Sequence, residues 1–265
     1  MIRYQRPPTP AGFSAPRPKA KGPFPTIWSA HKSAFSTAQH RKCGYCESSI
    51  AASQDADVEH YAPKAAVHDL DPTALGVEAE PNLARLAPRS RKVVVRSTRG
   101  YWWLAYDWGN WLFACEVCNR KYKLNVFPLA PTPRKGWRPT RQDTKHRPLL
   151  LNCYDDDAPW RHFVVDTTTG TIVGHTVRGT ATIHTCGLHR NTLRADRYRA
   201  ASSMVQQCEI AQASRESTTA RKRAWRTIVE LGGDDRPFAG AARAVAEDRL
   251  GLRWDEINNY VATLR

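Results

Sequence analysis

Two pairs of cysteines, Cys43-Gly44-Tyr45-Cys46 and Cys115-Glu116-Val117-Cys118, are the first residues whose types and spacing define a chemistry. A CxxC turn lets two sulfurs from one tight loop reach one ion, and four thiolates complete the tetrahedral shell of Zn²⁺. A redox CxxC needs a single pair, and a reducing cytosol disfavours disulfides. The two pairs therefore predict structural zinc, whose binding is also folding energy. Cys153, Cys186 and Cys208 lack partners at that spacing and read as buried small hydrophobes.

Beside the cysteines stands a second set. Asp57-Val58-Glu59-His60-Tyr61-Ala62-Pro63-Lys64 follows the first pair, and Asn110 and Asn119 flank the second. A neutral His60 can take a proton from water. A carboxylate and an amide oxygen can hold a hard cation, which neutralises a leaving oxygen. That set suits phosphodiester hydrolysis. On a regular strand Glu59 and His60 point to opposite faces, so they converge only where the strand ends or bulges, and Pro63 fits an end. Asn110 opens the apolar run WLFA, suited to a second strand, and its amide can pin the loop that carries His60. Asn119 is expected at the start of a helix, NRKYK, where free N–H groups favour phosphate. Arg120, Lys121 and Lys123 are expected to contact backbone phosphate. Trp102, Trp103, Trp108 and Trp111 read as core or platform aromatics rather than base-stacking ones. Asp155, Asp156 and Asp157 with His162 read as a turn and helix cap rather than a second metal site.

The elements that must position these groups come from patterning. Residues 1–25 contain seven prolines among basic and small residues and predict an extended, disordered arm outside the core. Residues 26–150 are expected to form the zinc-braced catalytic domain, entered by a short helix over 26–42. Residues 151–265 are expected to be mostly helical. They start with a hairpin over 163–174, continue with one or two amphipathic helices between about 190 and 231, and end with shorter helices near 238–250 and 255–264. The expected class is α+β. The 265 residues carry 40 Lys and Arg against 25 Asp and Glu, a formal charge of +15. By segment the charge is +8 over 1–42, −7 over 43–83, +12 over 84–150, −2 over 151–186 and +4 over 187–265. An acidic island between basic flanks fits carboxylates for a cation and flanks for a polyanion, so nucleic acid is the expected partner. No run approaches the roughly 18 apolar residues of a membrane span, and the start has no apolar leader, which predicts a soluble, cytoplasmic protein.

At these residues the chain resembles the HNH nucleases of ββα-metal fold, in the form braced by two CxxC knuckles. His60 matches the first motif histidine, Asn110 the central asparagine, Asn119 the last position and Glu59 the acid before the histidine. More narrowly, EHYAPK and YWWLAYDWGNWLFACEVCNRKYKLNVFPL resemble the HNH component of Septu-type and retron-associated anti-phage systems, as do PLLLNCYDDDAPWRHF and TIHTCGLHRNTLRADR. The resemblance covers about residues 40–200. It implies an HNH endonuclease in which His60 is the general base, Asn110 orients it, and Glu59 and Asn119 hold Mg²⁺ or Mn²⁺. It also implies a partner ATPase. The alternatives are a stand-alone or restriction-type HNH enzyme and, in another class, a non-catalytic zinc-ribbon nucleic-acid-binding protein.

Overall fold

The computed structural model describes residues 1–51, 54–70 and 93–264, so parts of the acidic block 43–83 and the basic block 84–150 lie outside the described residues. A short helix α1 (Lys32–Ala38) precedes strands β1 (Ala56–His60), β2 (Val67–Leu70), β3 (Val93–Ser97) and β4 (Trp111–Cys115). A one-turn helix α2 (Asp143–His146) and a hairpin of β5 (Phe163–Val165) and β6 (Ile172–Gly174) follow. Then come helices α3 (Val177–Cys186), α4 (Arg194–Gln212), α5 (Thr218–Leu231), α6 (Ala239–Leu250) and α7 (Trp254–Thr263). The described strands pair in antiparallel twos, β1 with β4, β2 with β3 and β5 with β6. The class is α+β.

The pairing of β1 with β4 positions the reactive groups. Trp111 to Ala114 are all apolar and all buried, which is why this run forms a strand covered on both faces. The register runs from Ala56 opposite Cys115 to His60 opposite Trp111. Into β4 the chain arrives through a short 3-10 turn, Trp108–Asn110, capped by Asp107, whose Oδ1 accepts from the Gly109 N–H at 2.8 Å. Beyond Cys115 it winds into a wide π-type helix, Val117–Lys123, closed at Leu124 with φ +48°. Behind β4 lies α1, with the Phe35 ring 4.6 Å from Trp108. The buried Gln39 amide serves the β4 backbone: Nε2 donates to the Phe113 carbonyl and Oε1 accepts from the Phe113 N–H, each at 2.8 Å.

The arm needs correction at its start. Residues 1–25 contain no helix or strand, as their prolines dictate. Yet Met1, Ile2 and Tyr4 are buried in the core, and the Met1 amino group ion-pairs with buried Glu47 at 2.6 Å. Three large apolar side chains precede the first proline, and burying them outweighs the entropy of holding a few residues. Arg6 then donates to the Trp111 carbonyl at 3.0 Å.

The hairpin and the last four helices fall where the pattern placed them. Helix α3 and the strands β2 and β3 lie where the pattern predicts no element. One apolar cluster includes Met1, Trp111, Leu150, Met204 and Ile257, so the core is continuous across position 150. Gly187 caps α3 at φ +62°, and a Cβ there would lie 2.2 Å from the Tyr122 ring. That close approach seats α3 against the π-helix.

Candidate active site and metal centre

The four sulfur atoms of Cys43, Cys46, Cys115 and Cys118 all lie within 4.8 Å of one another, with 3.9 Å between Cys46 and Cys115. Zinc–sulfur bonds of about 2.3 Å in a tetrahedron place the sulfurs about 3.8 Å apart, so the cluster fits Zn²⁺. Burial pushes the Cys43 and Cys118 thiols up, while hydrogen bonds from neighbouring thiols hold Cys46 and Cys115 down. Four acids crowd where one cation would stabilise all four thiolates. The first knuckle is tied to the sheet by the Gly44 N–H, which donates to the Phe113 carbonyl at 2.9 Å. The second continues from β4. Arg190 adds a cation from outside the shell, its Nη1 3.5 Å from the Cys118 sulfur. With four protein ligands the shell is closed, as structural sites are.

His60 ends β1 and is 5% exposed. Its Nε2 lies 2.8 Å from the Ala105 carbonyl oxygen, which can only accept, so Nε2 carries the hydrogen and Nδ1 the lone pair. Lys64 Nζ stands 3.2 Å from that Nδ1 and 4.3 Å over the Trp28 ring, and Trp28 meets the imidazole edge-on at 4.6 Å. Burial first, and then the Lys64 ammonium, push His60 down to about 3, so the ring is neutral at neutral pH. The Asn110 amide clamps the segment after His60. Its Oδ1 accepts from the Ala62 N–H at 2.8 Å, and its Nδ2 donates to the Ala62 and Leu104 carbonyls at 3.0 and 3.1 Å. The pinning expected of Asn110 is therefore present.

Glu59 and His60 do not meet. The strand ends at His60 without turning the two side chains together. Glu59 is 6% exposed, and its Oε1 ion-pairs with Lys123 at 2.6 Å. Lys123 Nζ also donates to the His60 carbonyl at 2.8 Å. Lys123 is thus corrected from a phosphate contact to a fully buried counterion, because the last turn of the π-helix folds its side chain under β1. Burial pushes the Glu59 carboxyl up, and the ammonium offsets part of that rise. Asn119 is the third residue of the seven-residue π-helix rather than its first, and is half-buried. Arg120 and Lys121 are exposed as expected, paired with Asp57 at 3.3 Å and Glu116 at 3.6 Å. Glu59 and Asn119 offer the oxygen donors a hard cation takes, and Mg²⁺ binds with one or two protein carboxylates plus water and phosphate. A cation on Glu59 would share that carboxylate with Lys123. Among the described residues the four cysteines are the one group of three or more His, Cys, Asp or Glu side chains close enough to hold a metal. Asp155 and Asp156 bind Arg6 and Arg178 instead.

Several positions at this site were not singled out from sequence. Lys64 stood in the motif without a role, and its four-residue offset from His60 was the available signal. Trp28, Arg190 and the Ala105 carbonyl gave none. Gly100 gave a faint one. A Cβ there would lie 2.3 Å from the Pro63 oxygen and 2.5 Å from the Lys64 carbon, so only glycine lets this backbone support the Lys64 loop.

The fold and site define an α+β protein with a four-cysteine cluster that can hold zinc, beside a buried histidine on a two-stranded sheet. No family profile matches the chain, and no solved structure does. The chain is similar to the Septu protein PtuB of Bacillus mycoides (strain KBAB4), at 29% identity over 163 residues. The match covers 62% of this chain and 48% of that protein, so the chain aligns with about half of its relative's length. This similarity supports a Septu-related protein. No helix among the described residues is long and apolar enough to cross a membrane.

Proposed function

We propose that the chain is a metal-dependent HNH nuclease that hydrolyses phosphodiester bonds in a Septu-type anti-phage defence system, working with a partner ATPase. The observation that carries the reading is the state of His60: a neutral imidazole, fixed by a carbonyl on Nε2, with its proton-accepting Nδ1 facing Lys64. Nδ1 is the atom that takes the proton from the attacking water. Lys64 moves off Nδ1 when a phosphate offers its ammonium a stronger partner, and water takes its place. Asn110 keeps His60 in register by holding Ala62. Mg²⁺ or Mn²⁺, held by Glu59 and Asn119, would neutralise the charge that develops on the leaving oxygen. Arg120 and Lys121 steer the nucleic-acid backbone. The cysteines brace β4 through zinc and take no part in the chemistry. The similarity to PtuB supports the defence setting, and the +12 of residues 84–150 supports a polyanionic substrate.

The test is cleavage of DNA and RNA by purified protein in Mg²⁺ or Mn²⁺, with and without a candidate partner ATPase, for wild type and His60→Ala. Cleavage should drop by about 10² to 10⁴ in the variant. Zinc content should stay that of wild type. No cleavage of either nucleic acid under any condition, or an active His60→Ala protein, would remove the reading.

A further inference from the structure

Beside His60 lies a turn whose side chains the proposed reaction does not use. Trp102, Trp103 and Leu104 form a 3-10 turn in which no residue is buried. Its backbone is fixed to the candidate site. The Leu104 carbonyl accepts from Asn110, and that of Ala105, the next residue, accepts from His60. Trp103 packs partly against the core, but Trp102 does not belong to the residues that do. The ring contact of Trp102 among the described residues is Trp103, edge-on at 5.6 Å. Keeping an indole half-open on a short turn forgoes burial that folding would otherwise use. The Arg141 guanidinium lies 6.0 Å from the Trp103 ring, and half-buried Trp137 lies 6.4 Å from Tyr101, whose ring also meets Trp103 at 5.7 Å. Of the six Lys and Arg between 134 and 147, only Arg147 is ion-paired among the described residues.

Half-open indoles amid cations that, Arg147 apart, have no ion pair among the described residues match one kind of partner. A protein ligand for apolar rings would gain nothing from the surplus charge. A duplex would satisfy the charge, but its stacked bases offer no free faces. An unpaired strand offers both phosphates and exposed base faces. We propose that Trp102 and Trp103, with Trp137 and Arg141, form a stacking platform for unpaired nucleotides, which delivers a single strand to His60. The proposal rests on the nuclease reading for its purpose, but its test reads binding alone.

The test is fluorescence anisotropy on the full, zinc-loaded chain without added magnesium. The probes are labelled oligothymidine and oligouridine of about 12 nucleotides, a length suited to such platforms, and a DNA duplex of equal length. Wild type should bind a single strand more tightly than the duplex, and the tighter of the two strands names the sugar. Trp102→Ala and Trp103→Ala should each weaken single-strand binding about 5- to 150-fold. Duplex binding should be nearly unchanged. Trp102→Phe should restore most of the loss, and melting curves guard against a folding defect, small for a side chain outside the core. Arg141→Ala should lower the salt slope by about one for either form. Single-strand affinity unchanged in Trp102→Ala and Trp103→Ala, or equal losses on duplex and single strand, would overturn the platform while leaving the nuclease reading in place. A wild-type chain that binds none of the three probes would overturn the platform as well.

Discussion

Replacing Lys123 by Met separates a buried counterion from a phosphate contact. Its ammonium lies 2.6 Å from Glu59 Oε1, with side-chain exposures of 0% and 8% for the two partners. Methionine keeps most of the apolar stem and removes the charge, so Glu59 is left buried without its cation and the His60 carbonyl loses its donor. Breaking a buried pair from one side costs about 3–5 kcal/mol, because the remaining charge keeps its desolvation penalty. That is a large part of the roughly 5–15 kcal/mol by which a domain is stable. At about 2–4 °C per kcal/mol for a chain of this size, the melting temperature should fall by about 6–20 °C. Adding Glu59→Gln removes the orphaned charge and should recover about half of the loss or more. The assay is thermal and urea unfolding in zinc-replete buffer, with Lys121→Met as the exposed control, expected to change stability by less than about 0.5 kcal/mol. The second readout is the salt dependence of nucleic-acid binding, which Lys121→Met should flatten by about one and Lys123→Met should leave alone. A Lys123→Met protein that melts like wild type, or that loses salt dependence as Lys121→Met does, refutes the assignment.

Three further outcomes follow from the same geometry. Gly187→Ala should destabilise by about 1–3 kcal/mol in urea unfolding, since a φ of +62° and the Tyr122 ring both resist a Cβ; unchanged stability would mean that α3 does not seat on Tyr122. Cys115→Ser should lose zinc by elemental analysis and aggregate or unfold, because the cluster joins the 43–46 loop to the end of β4. His60 is held at about 3, below its unfolded value near 6.5. The native state then stays neutral where the unfolded chain takes up a proton, so the stability present above about pH 6.5 is lost as pH falls towards 3. His60→Gln should flatten that fall by up to about 1.4 kcal/mol per pH unit; parallel stability curves would show that the ring is not held neutral.

Local pattern revealed β1, β4, the hairpin, the last four helices and the donor atoms, but not β2, β3 or α3, and it failed where partners are distant in sequence. Trp111 to Ala114 read as a strand because four successive apolar residues need cover on both sides, and the CxxC pairs read as one centre because the ion demands four sulfurs. Helix α3 escaped because TIHTC mixes buried threonine and histidine into its inner face, so no apolar stripe marks it. Proline content over 25 positions masks the arm's apolar residues, of which Met1, Ile2 and Tyr4 are buried and Phe13 and Phe24 pack against the core.

The chemistry of the site turns on pairings of that distant kind. Lys123 follows Arg120 and Lys121 in a run that looks uniformly basic, yet the helix turns one of the three inward, 64 residues from the carboxylate it neutralises. A cation buried there does two jobs that a surface lysine cannot. It keeps a carboxylate beneath the sheet, and through the His60 carbonyl it fixes the end of the strand from which the imidazole projects. Lys64 acts on Nδ1 itself. The acid–histidine pair of the sequence is thus a four-membered arrangement in the fold, with one lysine against the carboxylate and the other against the imidazole. Under the proposed reaction, reactivity would depend on which lysine a phosphate can draw away. Lys64 is half-buried and reaches over an aromatic face, while Lys123 is fully enclosed with two oxygen partners. Only Lys64 is placed to move.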